Sequence, residues 1–230
     1  MSTRLVVDTH NELQELPASG FPKHPSALRV PAIILSWIFH PVFVPVYLVL
    51  FMVNVHPYLF AGFAQWDKSK VVIQAFVMFT FFPIVTVLLL KALRFIDSLY
   101  VRTQRDRIIP LIACGIWYFW IWYVWRNLPD YPKESVQLTL AIFLASALGL
   151  MANIYMKVSL HAISMGVMVA FVMGLALDQS LQFGIYISAA LLITGLVCTA
   201  RFIVSDHTQR EVYGGLFLGI LSQLVAFWLG

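Results

Sequence analysis

Seven apolar runs, at about residues 31–53, 71–93, 109–125, 136–156, 160–177, 182–204 and 212–229, leave almost no polar sequence from which to build a soluble surface. Each holds roughly 17–25 residues, enough to cross a hydrocarbon core of about 30 Å as a helix. Backbone amides in lipid must find partners within their own segment. The expected fold class is therefore all-α, a polytopic membrane helix bundle of about six to seven transmembrane helices. Composition agrees: 60% of residues are hydrophobic and only 11% are charged. The net charge of +4 fits cations set at membrane edges and gives no reason to expect nucleic acid as a partner. Cys114 and Cys198 each lie inside an apolar run without metal-type spacing and read as small core residues.

Residues 1–28 hold acids and prolines but no apolar run, so a polar N-terminal tail without a signal-peptide pattern is expected ahead of a single transmembrane domain at 29–230. Pro31, Pro41 and Pro45 punctuate the first run, which should kink or start late. The segment 127–135 contains Pro129, Asp130 and Pro132 and reads as a loop. Trp117, Trp120, Trp122, Tyr123 and Trp125 form an aromatic cluster of the kind found at membrane interfaces. His24, His40 and His56 each precede a proline, share no helical face, and read as structural.

Three polar islands interrupt this pattern. The last, at 200–215, crowds Arg201, Asp206, His207, Arg210 and Glu211 between two apolar runs, where charge is costly unless paired or functional. Arg201, five residues, His207, three residues and Glu211 suit phosphoryl transfer. A guanidinium can clamp phosphate oxygens, and an imidazole can attack phosphorus if a carboxylate fixes its tautomer. His207 and Glu211, four apart, share a helical face, whereas Arg201 and His207, six apart, need a break near Ser205-Asp206. Thr208-Gln209-Arg210-Glu211 is also a capping box, a structural role that coexists with catalysis if Glu211 reaches His207 as well. The first island, at 97–110, holds Arg102, Arg105 and Arg107, which a positive flank or an anionic-lipid contact would also explain. The second holds Lys157, read as an interfacial anchor in preference to a fourth phosphate contact, with Ser159 and His161. Two apolar runs separate each island from the next, so an even number of crossings returns all three to one membrane face.

In this order the islands resemble the motifs of the type 2 phosphatidic acid phosphatase superfamily. Its third motif, Ser-Arg, five residues, His, three residues, Asp, stands here as Ala200-Arg201, His207 and Glu211. The first, Lys, six residues, Arg-Pro, stands as Arg102 and Ile109-Pro110, with Arg107 placed to supply the missing cation. The second, Pro-Ser-Gly-His, stands as Val158-Ser159-Leu160-His161. The resemblance spans 102–215, roughly half the chain, and implies a phosphatase-like core at about 95–230. It further implies a membrane phosphatase needing no metal or other cofactor. His207 would be the nucleophile that forms a phosphohistidine, Glu211 the acid that orients it, and His161 the general acid. Arg102, Arg107, Arg201 and Ser159 would hold the phosphate.

A site opening at a membrane face suits a lipid or polyprenyl phosphate or diphosphate, with the bilayer as the other partner and small soluble phosphates as the second substrate class. The chain should be an integral protein of the cell (inner) membrane. Eleven of its fifteen Lys and Arg residues fall on the motif-bearing side, which the positive-inside rule assigns to the cytoplasm, although family members more often work on the outer face. Two rivals are a catalytically degenerate lipid-binding relative, favoured by Ile109 and the altered second motif, and a transporter whose histidines and arginines carry protons or anions.

Overall fold

Proline divides the first apolar run. In the computed structural model, which describes residues 3–7, 13–17, 24–96, 104–178, 183–204 and 207–230, α1 (Ser26–Ile38) stops short of His40-Pro41. α2 (Val44–Leu50) begins beyond it and ends in a π turn, Phe51–Val55. Pro41 offers no N–H to the Trp37 carbonyl, and it pushes His40 out of helical geometry. Neither piece is long enough to span, so six crossings replace the seven apolar runs.

The first span runs from Gln65 to Ala92 as α3 (Gln65–Phe76), a π turn (Val77–Phe81) and α4 (Phe82–Ala92). Pro83 sits in the first turn of α4 and leaves Phe79 without its usual i+4 donor, which accounts for the local loosening. The other spans are α5 (Gln104–Arg126), α6 (Lys133–Tyr155), α7 (Leu160–Asp178), α8 (Gly184–Val204) and α9 (Gln209–Leu229). The fold is the all-α membrane bundle that its hydropathy demands. A short antiparallel ribbon, β1 (Thr3–Val7) against β2 (Leu13–Pro17), lies within the stretch expected only to be polar tail.

α6 and α7 form the centre, each burying more than half of its apolar window, whereas the other spans bury about a third or less. α9 packs along both. Its Gly215 and Gly219, four apart, let its backbone close on α7: a Cβ at Gly219 would meet the Ile163 carbonyl, and one at Gly166 the Leu216 carbonyl. Close backbone approach through small residues is the usual solution in lipid, where burying apolar side chains drives no association. Leu88, Leu89, Ile112, Ile116, Leu192, Leu196, Phe217 and Leu224 are exposed along the outward faces, as lipid contact requires.

The aromatic cluster divides between two tasks. Trp120 and Tyr123 are about half exposed, as anchors should be. Trp125 is fully buried instead, donating its indole N–H to Gln74 Oε1 at 3.1 Å, an oxygen that also accepts the Tyr131 hydroxyl at 3.0 Å. Trp117 stacks on Phe82 at 4.4 Å and donates to Thr86 Oγ1. These two tryptophans join α5 to the first span, because a buried indole needs an acceptor and two were in reach.

The end of α4 carries a measurable strain. Phe95 N–H bonds the Leu90 carbonyl and Arg94 N–H bonds that of Lys91, a Schellman closure that puts Arg94 at φ 61°. Glycine takes this left-handed conformation freely, and an L side chain does not. Arg94→Gly is expected to stabilise the protein by about 1 kcal/mol in a detergent melt; an unchanged or lower midpoint contradicts the assignment.

Candidate active site

α5, α7 and α9 all begin at one end of the bundle, because hydrogen bonds join the first turn of α5 to the residues before α7, and those residues to the first turn of α9. Three helix N-termini, each a partial positive charge, therefore face the same region. The sequence places its polar islands on these first turns.

Arg107 lies in the first turn of α5, is 8% exposed, and donates through Nη1 to the Val158 carbonyl at 2.7 Å. Ser159, fully buried, caps α7 by accepting the Ala162 N–H on its hydroxyl oxygen. Its own N–H donates to the Glu211 carbonyl at 3.0 Å, a bond that joins the start of α7 to that of α9. His161 follows in the first turn of α7, half-buried, with Nε2 3.0 Å from the Ser36 carbonyl of α1. Arg201 is half-buried in the last turn of α8.

α8 ends at Val204 and α9 starts at Gln209, which puts the helix break where the spacing of Arg201 and His207 requires it. His207 is 6% exposed, and its Nδ1 lies 3.2 Å from Glu211 Oε2. The same oxygen accepts the Thr208 N–H at 2.8 Å, while Glu211 N–H bonds Thr208 Oγ1. One carboxylate thus closes the capping box and holds the imidazole. Because a carboxylate accepts, Nδ1 carries the proton and Nε2 keeps its lone pair. Burial lowers the His207 pKa from the ordinary histidine value; the Glu211 hydrogen bond pulls it back, and Arg107 and Arg201 push it down. The field of Arg201 also reaches His40 and His161.

Arg107, Ser159, His161, Arg201, His207 and Glu211 therefore gather at one end, around a buried basic cluster built from four spans. Arg102, Ser205 and Asp206 lie outside the described residues. Ile109 is 41% exposed, while Arg107, about 200° away around α5, faces inward. The helix turns Ile109 towards lipid and Arg107 into the bundle.

One residue at the site was read from sequence as merely structural. His40, in the turn after α1, stands edge-on to His161 with ring centroids 5.3 Å apart and planes at 83°. The available signal was a His-Pro dipeptide splitting an apolar run. His56 differs, since its Nδ1 accepts the N–H groups of Tyr58 and Leu59 in an ordinary turn cap. Among the described residues, no group of three or more His, Cys, Asp or Glu side chains is arranged to hold a metal ion. No protein-family model, curated protein or solved structure matches the chain.

Proposed function

We propose that the chain is a metal-independent membrane phosphatase that cleaves a lipid or polyprenyl phosphate, or a diphosphate, through a phosphohistidine on His207. The observation that carries the reading is the His207–Glu211 contact at 3.2 Å, set among the buried guanidinium of Arg107 and that of Arg201. Nε2 of His207 attacks phosphorus as the bond to the leaving oxygen breaks, and His161 gives that oxygen a proton. Water then attacks phosphorus as the P–N bond breaks, His161 takes a proton back from the water, and His207 leaves with its lone pair restored. Loose phosphoryl transfer asks mainly for positioning and for cations on the equatorial oxygens; Arg107, Arg201 and the three helix N-termini supply these. A site at the rim of a lipid-exposed bundle suits a substrate whose phosphate sits at headgroup depth and whose chain stays in the bilayer.

The direct test is phosphate release by the purified protein in mixed micelles containing EDTA. Phosphatidate and a polyprenyl diphosphate would be compared with glycerol phosphate. Release from a lipid phosphate that EDTA does not suppress is expected; none from any substrate refutes the reading. Because attack needs neutral His207, kcat/KM should fall on the acid side only as pH drops through a value below the ordinary 6.5. Glu211 raises that value, so Glu211→Gln should shift the acid limb to lower pH while slowing turnover. Glutamine preserves the capping box, which separates this effect from loss of the helix start. A limb that stays in place in Glu211→Gln would take His207 out of the nucleophile's role.

The outward-facing Ile109 favours a second reading, a relative that binds lipid phosphates without cleaving them. It expects saturable phosphatidate binding with no phosphate released.

A further inference from the structure

We infer that the break in the first apolar run is a working part of this site: the Ser36 carbonyl holds His161 as its Nε2–H tautomer, and the His40 ring braces it, leaving Nδ1 to exchange protons with substrate. The catalytic meaning rests on the phosphatase reading; the tautomer does not.

A helix bond is missing at the end of α1. In an unbroken helix the His40 N–H would bond the Ser36 carbonyl. Pro41 ends α1, and the His40 N–H turns to the Trp37 carbonyl at 3.4 Å while Phe39 N–H takes that of Leu35. The carbonyl of Ser36 is thereby released within an apolar bundle, where an unpaired acceptor is expensive. Nε2 of His161 lies 3.0 Å from it, across 125 residues of sequence. A backbone carbonyl only accepts, so Nε2 must be the protonated nitrogen. In a neutral His161 this puts the lone pair on Nδ1, so Nδ1 is the nitrogen that takes up a proton and the one from which the imidazolium can return it to a leaving group.

His40 completes the mounting. Its ring meets that of His161 edge to face, between Trp37 at 6.4 Å and Phe43 at 6.2 Å. Burial and Arg201 hold its pKa down to about 4, so it is a neutral ring near neutral pH. The break itself is tied to the first span by Thr80, whose hydroxyl donates to the Val42 carbonyl at 2.7 Å. The charged or titratable groups that act on His161 are His40 from this turn, Arg201 from α8 and His207 from the turn before α9. His40 touches His161 and is a positioning residue.

The test reads the tautomer directly. Protein labelled with 15N-histidine is placed in nanodiscs, and the His161 signals are assigned by their loss in His161→Gln. A single Nε2–H tautomer at pH 8 is expected. Pro41→Ala allows α1 to continue and the His40 N–H to reclaim the Ser36 carbonyl, so its spectrum should show a mixture. An Nδ1–H tautomer or a mixture in the wild type overturns the inference whether or not the protein hydrolyses anything, as does a Pro41→Ala spectrum identical to wild type. Nε2–H in a protein that releases no phosphate leaves the inference standing and removes the phosphatase reading instead. In an active protein, His40→Ala should lower kcat about tenfold with KM within twofold, and His40→Phe should recover most of it, since the brace is a neutral ring. Wild-type kcat in His40→Ala overturns the brace, and the spectrum of wild-type protein decides the tautomer even if Pro41→Ala does not fold.

Discussion

His207→Ala is expected to cut phosphate release by at least about a thousandfold, the scale on which removing a covalent nucleophile acts, while the protein still folds. The imidazole is buried, but the start of α9 does not depend on it. Glu211 Oε2 keeps the Thr208 N–H, and the Thr208 hydroxyl keeps the Glu211 N–H. What disappears is a group that, among the described residues, has both an orienting carboxylate at 3.2 Å and a nitrogen lone pair beside Arg107 and Arg201. Arg105→Ala is the control, an exposed cation in the same turn of α5 as Arg107, and should leave the rate within twofold. A phosphorus-32 pulse adds a chemical readout. Wild-type protein should retain label that survives alkali and is lost in acid, as a P–N bond requires, and His207→Ala should retain none. Activity of His207→Ala within tenfold of wild type would move the nucleophile elsewhere and end the proposed mechanism.

The parts of the fold that were legible from sequence are those where local chemistry and long-range structure agree. Six apolar runs became spans because lipid leaves a backbone no other option. The start of α9 was visible in Thr208 and Glu211, since a capping box is satisfied within four residues. Counting crossings put the three polar islands on one face, and the residues described from each do lie at one end of the bundle. What could not be read depends on partners far along the chain. His40 shares no helical face with any other histidine, and only the break at Pro41 and the crossing of α1 over α8 bring it to His161. Trp125 looked like an anchor because nothing local announces that Gln74 waits for it. Arg107 and Ile109 show a subtler case: motif spacing compares positions along the chain, whereas a helix decides which of two neighbours faces inward.

Gly219→Leu should be the most destructive single substitution in the bundle, costing more than the roughly 1–3 kcal/mol typical of overpacking, with no folded peak by size exclusion or a sharply lower melting midpoint. The reason is what a side chain would meet. At Gly219 even a Cβ strikes the Ile163 carbonyl and comes within 2.9 Å of the Val167 nitrogen, both backbone atoms of α7 that cannot rotate aside. Gly215 repeats the contact one turn earlier, where a Cβ would lie 2.7 Å from the Ser159 carbonyl. α7 and α9 can relieve either clash only by moving apart, which stretches the Ser159 N–H to Glu211 carbonyl bond at 3.0 Å and with it the spacing of His161 from His207. The milder Gly219→Ala therefore separates two quantities. It should melt about 2 kcal/mol below wild type yet lose activity out of proportion to the folded fraction, because in-line transfer tolerates little displacement of its acid from its nucleophile. Gly195→Ala is the matched control in α8, where a new Cβ meets nothing within 4 Å and the change should be neutral or slightly stabilising. If Gly219→Leu melts with the wild type, α7 and α9 are not in backbone contact. The proposed convergence of two histidines on one phosphate then loses its physical basis.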